Sequence, residues 1–176
     1  MKKNLNDSTE IIMLGDSLVE WFYNVSYKNL GHAGYTTRDL MWYIEDCINI
    51  NGELGILLIG VNDILSNFKK EISQKYYADI IKLLEKKFIN ILIIKLLPTD
   101  IVTINNEIEK FNLFIDHSYR NKENIFILDI YHNFLGNINQ EKIIADKYTT
   151  DGIHLSNAGY ELLKKKLEEK ISEIFN

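Results

Sequence analysis

The sequence predicts a layered α/β domain, and three observations carry that prediction. Short, near-continuous Ile/Leu runs alternate with segments of helical period. The runs have the composition of parallel strands buried on both faces. The helical segments each draw an apolar stripe that a sheet can cover. A length of 176 residues fits one domain with one sizeable core, spanning 1–176.

Taken in order, the predicted strands are residues 10–14, a short 28–30, 54–59, 89–96 and 125–128. Between the third and fourth, Ile72, Tyr76, Ile80, Leu84 and Phe88 recur at steps of four and predict a helix. Ile104, Ile108, Phe111 and Ile115 mark another, and Leu163, Leu167, Ile171 and Ile174 a last one, with Ser156 placed to cap it. The Lys164, Lys165, Lys166, Glu168 and Glu169 run reads as the wet face of that helix. Residues 129–150 lack a clear period and predict a loop with a short helix. No repeat, linker or low-complexity stretch interrupts the pattern.

Composition excludes several function classes. Hydrophobic residues make up 46% and charged residues 26%, with a net charge of −5 and no basic block. A dedicated nucleic-acid binder needs a cationic face, so none is expected. The single cysteine, Cys47, rules out an internal disulfide and reads as a small core residue. The four histidines form no C-x-x-C or H-E-x-x-H pattern, so no metal site is expected. The longest apolar stretches, GILLIGV and INILIIKLLP, fall short of a membrane span, and the apolar run at 11–14 is too short for a signal peptide. The expectation is a soluble, cytoplasmic chain of unknown oligomeric state.

In open α/β sheets, ligands sit beyond the carboxyl ends of the strands, so the polar residues that follow each strand matter most. Gly15-Asp16-Ser17 follows the first, Asn29-Leu30-Gly31-His32-Ala33-Gly34 overlaps the second, and Gly60-Val61-Asn62-Asp63 follows the third. Asp151-Gly152-Ile153-His154 precedes the last helix. Their chemistry is complementary. A serine hydroxyl is a poor nucleophile until a base takes its proton, and His154 can be that base for Ser17. Asp151, three residues earlier on a glycine-containing turn, can reach the far ring nitrogen and fix the tautomer. Asn62 offers a side-chain NH2 to a developing oxyanion, and Gly34 and Ser17 offer backbone N–H groups.

These four stretches resemble the blocks of the SGNH hydrolases, the GDSL esterase/lipase superfamily. Gly15-Asp16-Ser17-Leu18 resembles the first block, Asn29-x-Gly31-x-x-Gly34 the second, Gly60-x-Asn62-Asp63 the third and Asp151-x-x-His154 the last. The likeness runs in order across residues 11–160. It implies Ser17, Asp151 and His154 as catalytic residues, and Ser17, Gly34 and Asn62 as the oxyanion hole. It also implies a three-layer α/β/α, flavodoxin-like fold: a five-stranded parallel sheet with helices on both faces, the first and third strands being neighbours. Two positions depart from the common pattern, Val19-Glu20-Trp21 after the first block and Tyr35 after Gly34; they bear on the substrate. The block spacing resembles that of the small acetylhydrolase- and esterase-like members.

The expected activity is therefore cleavage of carboxylic esters, with short acyl groups, through an acyl-enzyme and with no cofactor. The expected partner is a small-molecule ester. Two rival readings share the site: a catalytically silent module that binds a carbohydrate or lipid headgroup, and an O-acyltransferase. Several residues carry rival roles as well. Ser17 can simply cap the helix that follows it. Asp63 competes with Asp151 as the carboxylate that orients the histidine, and Asp129-x-x-His132 is a second Asp-x-x-His pair. Asp16 is expected to brace its turn. His32 lies inside the second block, and it and His117 read as structural or exposed. Trp21, Phe22, Tyr35, Trp42 and Tyr43 are read first as core, second as an acyl pocket. The glycine after the serine that an α/β-hydrolase elbow requires is missing, which sets that fold aside.

Overall fold

The protein is described by a computed structural model covering residues 10–136 and 142–176. The side chain of Cys47 and residues 137–141 of the connection before the last helix lie outside the described residues. The elements run β1 (Ile11–Gly15), α1 (Ser17–Glu20), β2 (Lys28–Gly31), α2 (Thr37–Trp42, continued by a π turn over Tyr43–Cys47), β3 (Gly52–Leu58), α3 (Val61–Leu65), α4 (Lys70–Glu85), β4 (Phe88–Ile94), α5 (Val102–Tyr119), β5 (Ile125–Leu128) and α6 (Asn157–Phe175).

All five strands pair in parallel in the order β2-β1-β3-β4-β5. The order runs one way from β1 to β2 and the other way from β3 to β5. Right-handed crossovers then place helices on both faces of the sheet. The reversal lies between β1 and β3, where Gly15 pairs with Leu58. A crevice at such a switch point is where ligands bind in open α/β sheets. The expected five-stranded α/β sheet, with β1 and β3 adjacent, is thus present.

The central strands are buried on both faces, as their composition requires: Ile12, Met13, Leu14, Leu54, Ile56, Leu57, Leu58, Ile91, Leu92 and Ile93 are fully covered. On α6, Leu163, Leu167 and Ile171 are buried as their spacing predicts, and Ser156 caps the helix by accepting from Gly159 N at 3.2 Å. The α4 stripe differs. Ile72 is exposed, and the buried face is Ser73, Tyr77, Ile80, Ile81 and Leu84. Steps of four overshoot a 3.6-residue turn by about 40° each, so a long row of them leaves the core-facing side. Phe88, counted with that helix, opens β4. Among its described residues, the connection at 129–150 carries two short 3-10 turns, Tyr131–Phe134 and Asp146–Tyr148. No helix among the described residues is long and apolar enough to cross a membrane.

Candidate active site

Ser17 opens α1 at the end of β1, and the residue that caps that helix is Asp16: its Oδ1 accepts from Leu18 N at 2.9 Å. Ser17 is therefore spared the capping role, and its Oγ lies 3.1 Å from His154 Nε2. On the other side of the ring, His154 Nδ1 lies 2.7 Å from Asp151 Oδ2. The three side chains form one hydrogen-bonded line of hydroxyl, imidazole and carboxylate.

The loop that delivers His154 is pinned at several points. Asp151 Oδ1 accepts from the backbone N–H of Ile153 at 3.0 Å and of His154 at 2.8 Å. Thr149 Oγ1 donates to the His154 carbonyl at 2.8 Å and accepts from Gly152 N at 2.8 Å. Asp100 N, just after Pro98 and Thr99, donates to the Gly152 carbonyl at 2.8 Å. Gly152 has φ +89°, and a Cβ there would lie 2.1 Å from the Asp100 carboxylate, so only glycine fits. Desolvation alone would raise the Asp151 carboxyl. The hydrogen bonds from the His154 ring and from the two backbone N–H groups outweigh it and hold the carboxyl down at about 2.

The oxyanion candidates come from the neighbouring strands. Asn62 sits in α3 beyond β3, and its Nδ2 donates to the Tyr35 carbonyl at 3.0 Å. That bond ties the third block to the second and leaves one amide hydrogen for another acceptor. Gly34 has φ +79°, with open space where a Cβ would stand, so its backbone angle, not crowding, calls for glycine. The β1–β2 side is fixed by Asn29, whose Nδ2 donates to the carbonyls of Val19 at 2.6 Å and Phe22 at 3.2 Å.

A sequence model of the GDSL-like lipase/acylhydrolase family matches residues 10–162. The chain belongs to that family. Solved structures share the GDSL fold: a GDSL-like lipase from Bacteroides thetaiotaomicron is 20% identical with a TM-score of 0.82, covering 94% of this chain and 89% of the other. A member of the lipolytic G-D-S-L family from Veillonella parvula is 22% identical with a TM-score of 0.75, covering 92% and 97%. Among curated proteins, the N-acylneuraminate cytidylyltransferase of Escherichia coli O18:K1:H7 is 27% identical over 181 residues. That match takes in 96% of this chain but only 42% of the relative's length.

Within this GDSL hydrolase the rival assignments separate. Asp63 is buried and spent on Thr37, accepting from its backbone N at 2.8 Å and its Oγ1 at 2.6 Å. It therefore fastens the start of α2 to α3, and Asp151 is the carboxylate on the histidine. Asp129 accepts from Lys95 Nζ at 2.7 Å and from Tyr131 N at 3.3 Å, so its bonds go there and not to His132. His32 stacks on Tyr35 with ring centres 4.6 Å apart, and its Nε2 is buried without a hydrogen-bond partner. His117 is exposed.

The aromatic residues divide. Phe22 is core, but Trp21 and Trp42 are among the exposed large side chains, which corrects their reading as core. Trp21 lies against the site, its ring centre 4.3 Å from that of His154. Sequence reasoning also missed Thr37, which occupies Asp63, and Asp100, which seats Gly152. Neither belongs to a motif, and both act across long sequence separations. Burial and the nearby Asp63 charge push the Asp16 carboxyl up to about 7, against the opposing Leu18 N–H bond.

Proposed function

We propose that this GDSL-family chain hydrolyses short-chain carboxylic esters through an acyl-enzyme. Ser17 Oγ attacks the ester carbonyl as His154 Nε2 takes its proton. The oxyanion accepts from the Asn62 amide and the backbone N–H groups of Gly34 and Ser17. His154 then passes the proton to the departing alcohol, and water repeats the sequence on the acyl-Ser17 ester. Asp151 stays ionised throughout, orienting the ring and stabilising the imidazolium. The single observation that supports this most is the 3.1 Å contact between Ser17 Oγ and His154 Nε2, with Asp151 2.7 Å behind.

The test is a series of p-nitrophenyl esters from acetate to palmitate, with wild type and Ser17→Ala side by side. Activity highest at acetate and absent in Ser17→Ala is the expected result; a maximum at long chains overturns the short-acyl preference. A fluorophosphonate probe labels Ser17 if the serine is nucleophilic, and no labelling favours the binding-module reading. Because the longer relatives are named for N-acylneuraminate, the panel includes an O-acetylated form of that sugar. Release of acetate to water, not to added alcohols, separates hydrolysis from acyl transfer.

A further inference from the structure

Besides its bonds to Ser17 and Asp151, the His154 ring meets Trp21. The two ring centres lie 4.3 Å apart, with the planes tilted by 42°. Rings that meet only at their edges stand farther apart, so the indole and the imidazole overlap. The helix that carries the nucleophile sets Trp21 there. Trp21 follows Ser17 by four residues, and its backbone N donates to the Ser17 carbonyl at 3.0 Å. Residues four apart share one helix face, so α1 presents hydroxyl and indole together to the imidazole. The chain beyond is tied down as well: Asn29 Nδ2 donates to the Phe22 carbonyl at 3.2 Å, and Lys164 Nζ to the Asn24 carbonyl at 2.9 Å.

The carboxylate side of the ring is the wetter one. The Asp151 side chain is 52% exposed and that of His154 only 26%. A buried carboxylate acts on an imidazolium through a low dielectric, whereas one half in water is screened. The charge that develops on the ring thus meets a screened anion at Nδ1 and the π system of Trp21 against its plane. An aromatic face attracts a cation within about 6 Å of its centre through its quadrupole. Neutral imidazole feels this attraction less. Only that difference speeds the reaction, because the charged ring exists only once the proton has moved.

We propose that Trp21 is a positioning residue for the reaction: it fixes the plane of the His154 ring and stabilises the imidazolium by a cation–π interaction. The proposal rests on the ester-cleavage reading of the site. As Ser17 Oγ bonds to the ester carbon, the carbonyl π pair moves onto its oxygen and the Oγ proton passes to Nε2. The ring keeps its positive charge until Nε2 gives that proton to the departing alcohol. When water attacks the acyl-Ser17 ester, a water proton charges the ring again, and it returns to Ser17 Oγ as the acid leaves. Trp21 therefore acts on both halves of the cycle.

The test changes the electrons of the indole and keeps its shape. In Trp42→Phe, Trp21 is the sole tryptophan. It is replaced there by tryptophans with one, two or three ring fluorines, which drain the π face stepwise. One readout is kcat and KM on p-nitrophenyl acetate. The other is the rate at which a fluorophosphonate labels Ser17, a step with the same proton transfer and fluoride as the leaving group. Both kcat and the labelling rate should fall with each added fluorine, roughly fivefold in all, with KM steady. Trp21→Phe should retain more of both than Trp21→Leu. A flat fluorine series overturns the proposal even if Trp21→Leu is slow, since packing alone would then be at work. A change confined to KM also overturns it and puts the indole on the substrate. Labelling that falls along the series in a protein that cleaves no ester overturns the ester reading and leaves the role of Trp21 standing. A protein that neither cleaves nor labels overturns both.

Discussion

The Asp151 carboxylate grips His154 twice: Oδ2 lies 2.7 Å from the ring Nδ1, and Oδ1 accepts the backbone N–H of the same residue at 2.8 Å. One side chain thus shapes the turn and sets the tautomer. Asp151→Asn should keep the turn, since its amide oxygen can still accept from the backbone. It should lower kcat by about 10⁴, because the ring would be held in the wrong tautomer. Steady-state kinetics beside a thermal melt separates these two effects.

The same contact sets a pH window. Folding lowers the Asp151 carboxyl from its ordinary 3.8 to about 2, so the ionised form is favoured in the native state. Its stabilisation is complete above about pH 4 and is lost as the pH falls toward 2. The stability gap between wild type and Asp151→Asn should close over that range in urea melts. His154→Ala should abolish turnover at every pH.

Asp16 behaves in the opposite sense. Burial raises its carboxyl from 3.8 to about 7, so the folded state disfavours the charge. The contribution of Asp16 is fully present below about pH 4 and is lost as the pH rises through 7. Asp16→Asn retains an acceptor for Leu18 N and carries no charge. It should melt higher than wild type at pH 8, by about 5 °C or more, with no advantage at pH 4. Differential scanning calorimetry at the two pH values checks this.

Asn62 is bound on one side only, by the Tyr35 carbonyl at 3.0 Å. Asn62→Ala should lower kcat by about 10²–10³, the scale for one oxyanion donor, with a much smaller change in KM. A drop confined to KM would remove Asn62 from the oxyanion role.

Gly152→Ala should be damaging for two separable reasons. The left-handed backbone costs about 1–2 kcal/mol for a residue with a Cβ. The added carbon would also meet the Asp100 carboxylate, 2.1 Å away, and force that side chain to move. Both Tm and kcat should fall. Adding Asp100→Ala should restore part of each, because it removes the collision and leaves the backbone cost.

Much of this protein is legible along the chain. The Ile/Leu runs announce buried parallel strands because a strand covered on both faces has no solvent side to alternate with. Leu163, Leu167 and Ile171 announce α6 because two steps of four drift too little to carry the row off the core-facing side. The candidate chemistry is legible for the same kind of reason: serine, histidine and carboxylate are the side chains that activate a hydroxyl, and they stand just beyond strand ends. What the sequence alone determines is this inventory and its order. Which carboxylate meets the histidine is a matter of three-dimensional placement. The family resemblance implies Asp151, but by residue type Asp63, Asp129 and Asp151 are rivals, and their partners, Thr37, Lys95 and His154, separate them. The exposure of Trp21 beside His154 follows from the same placement. Asn24 and Lys164, 140 residues apart in the chain, meet only when the end of α1 comes against α6, and a hydrogen bond across that distance leaves no local pattern to read.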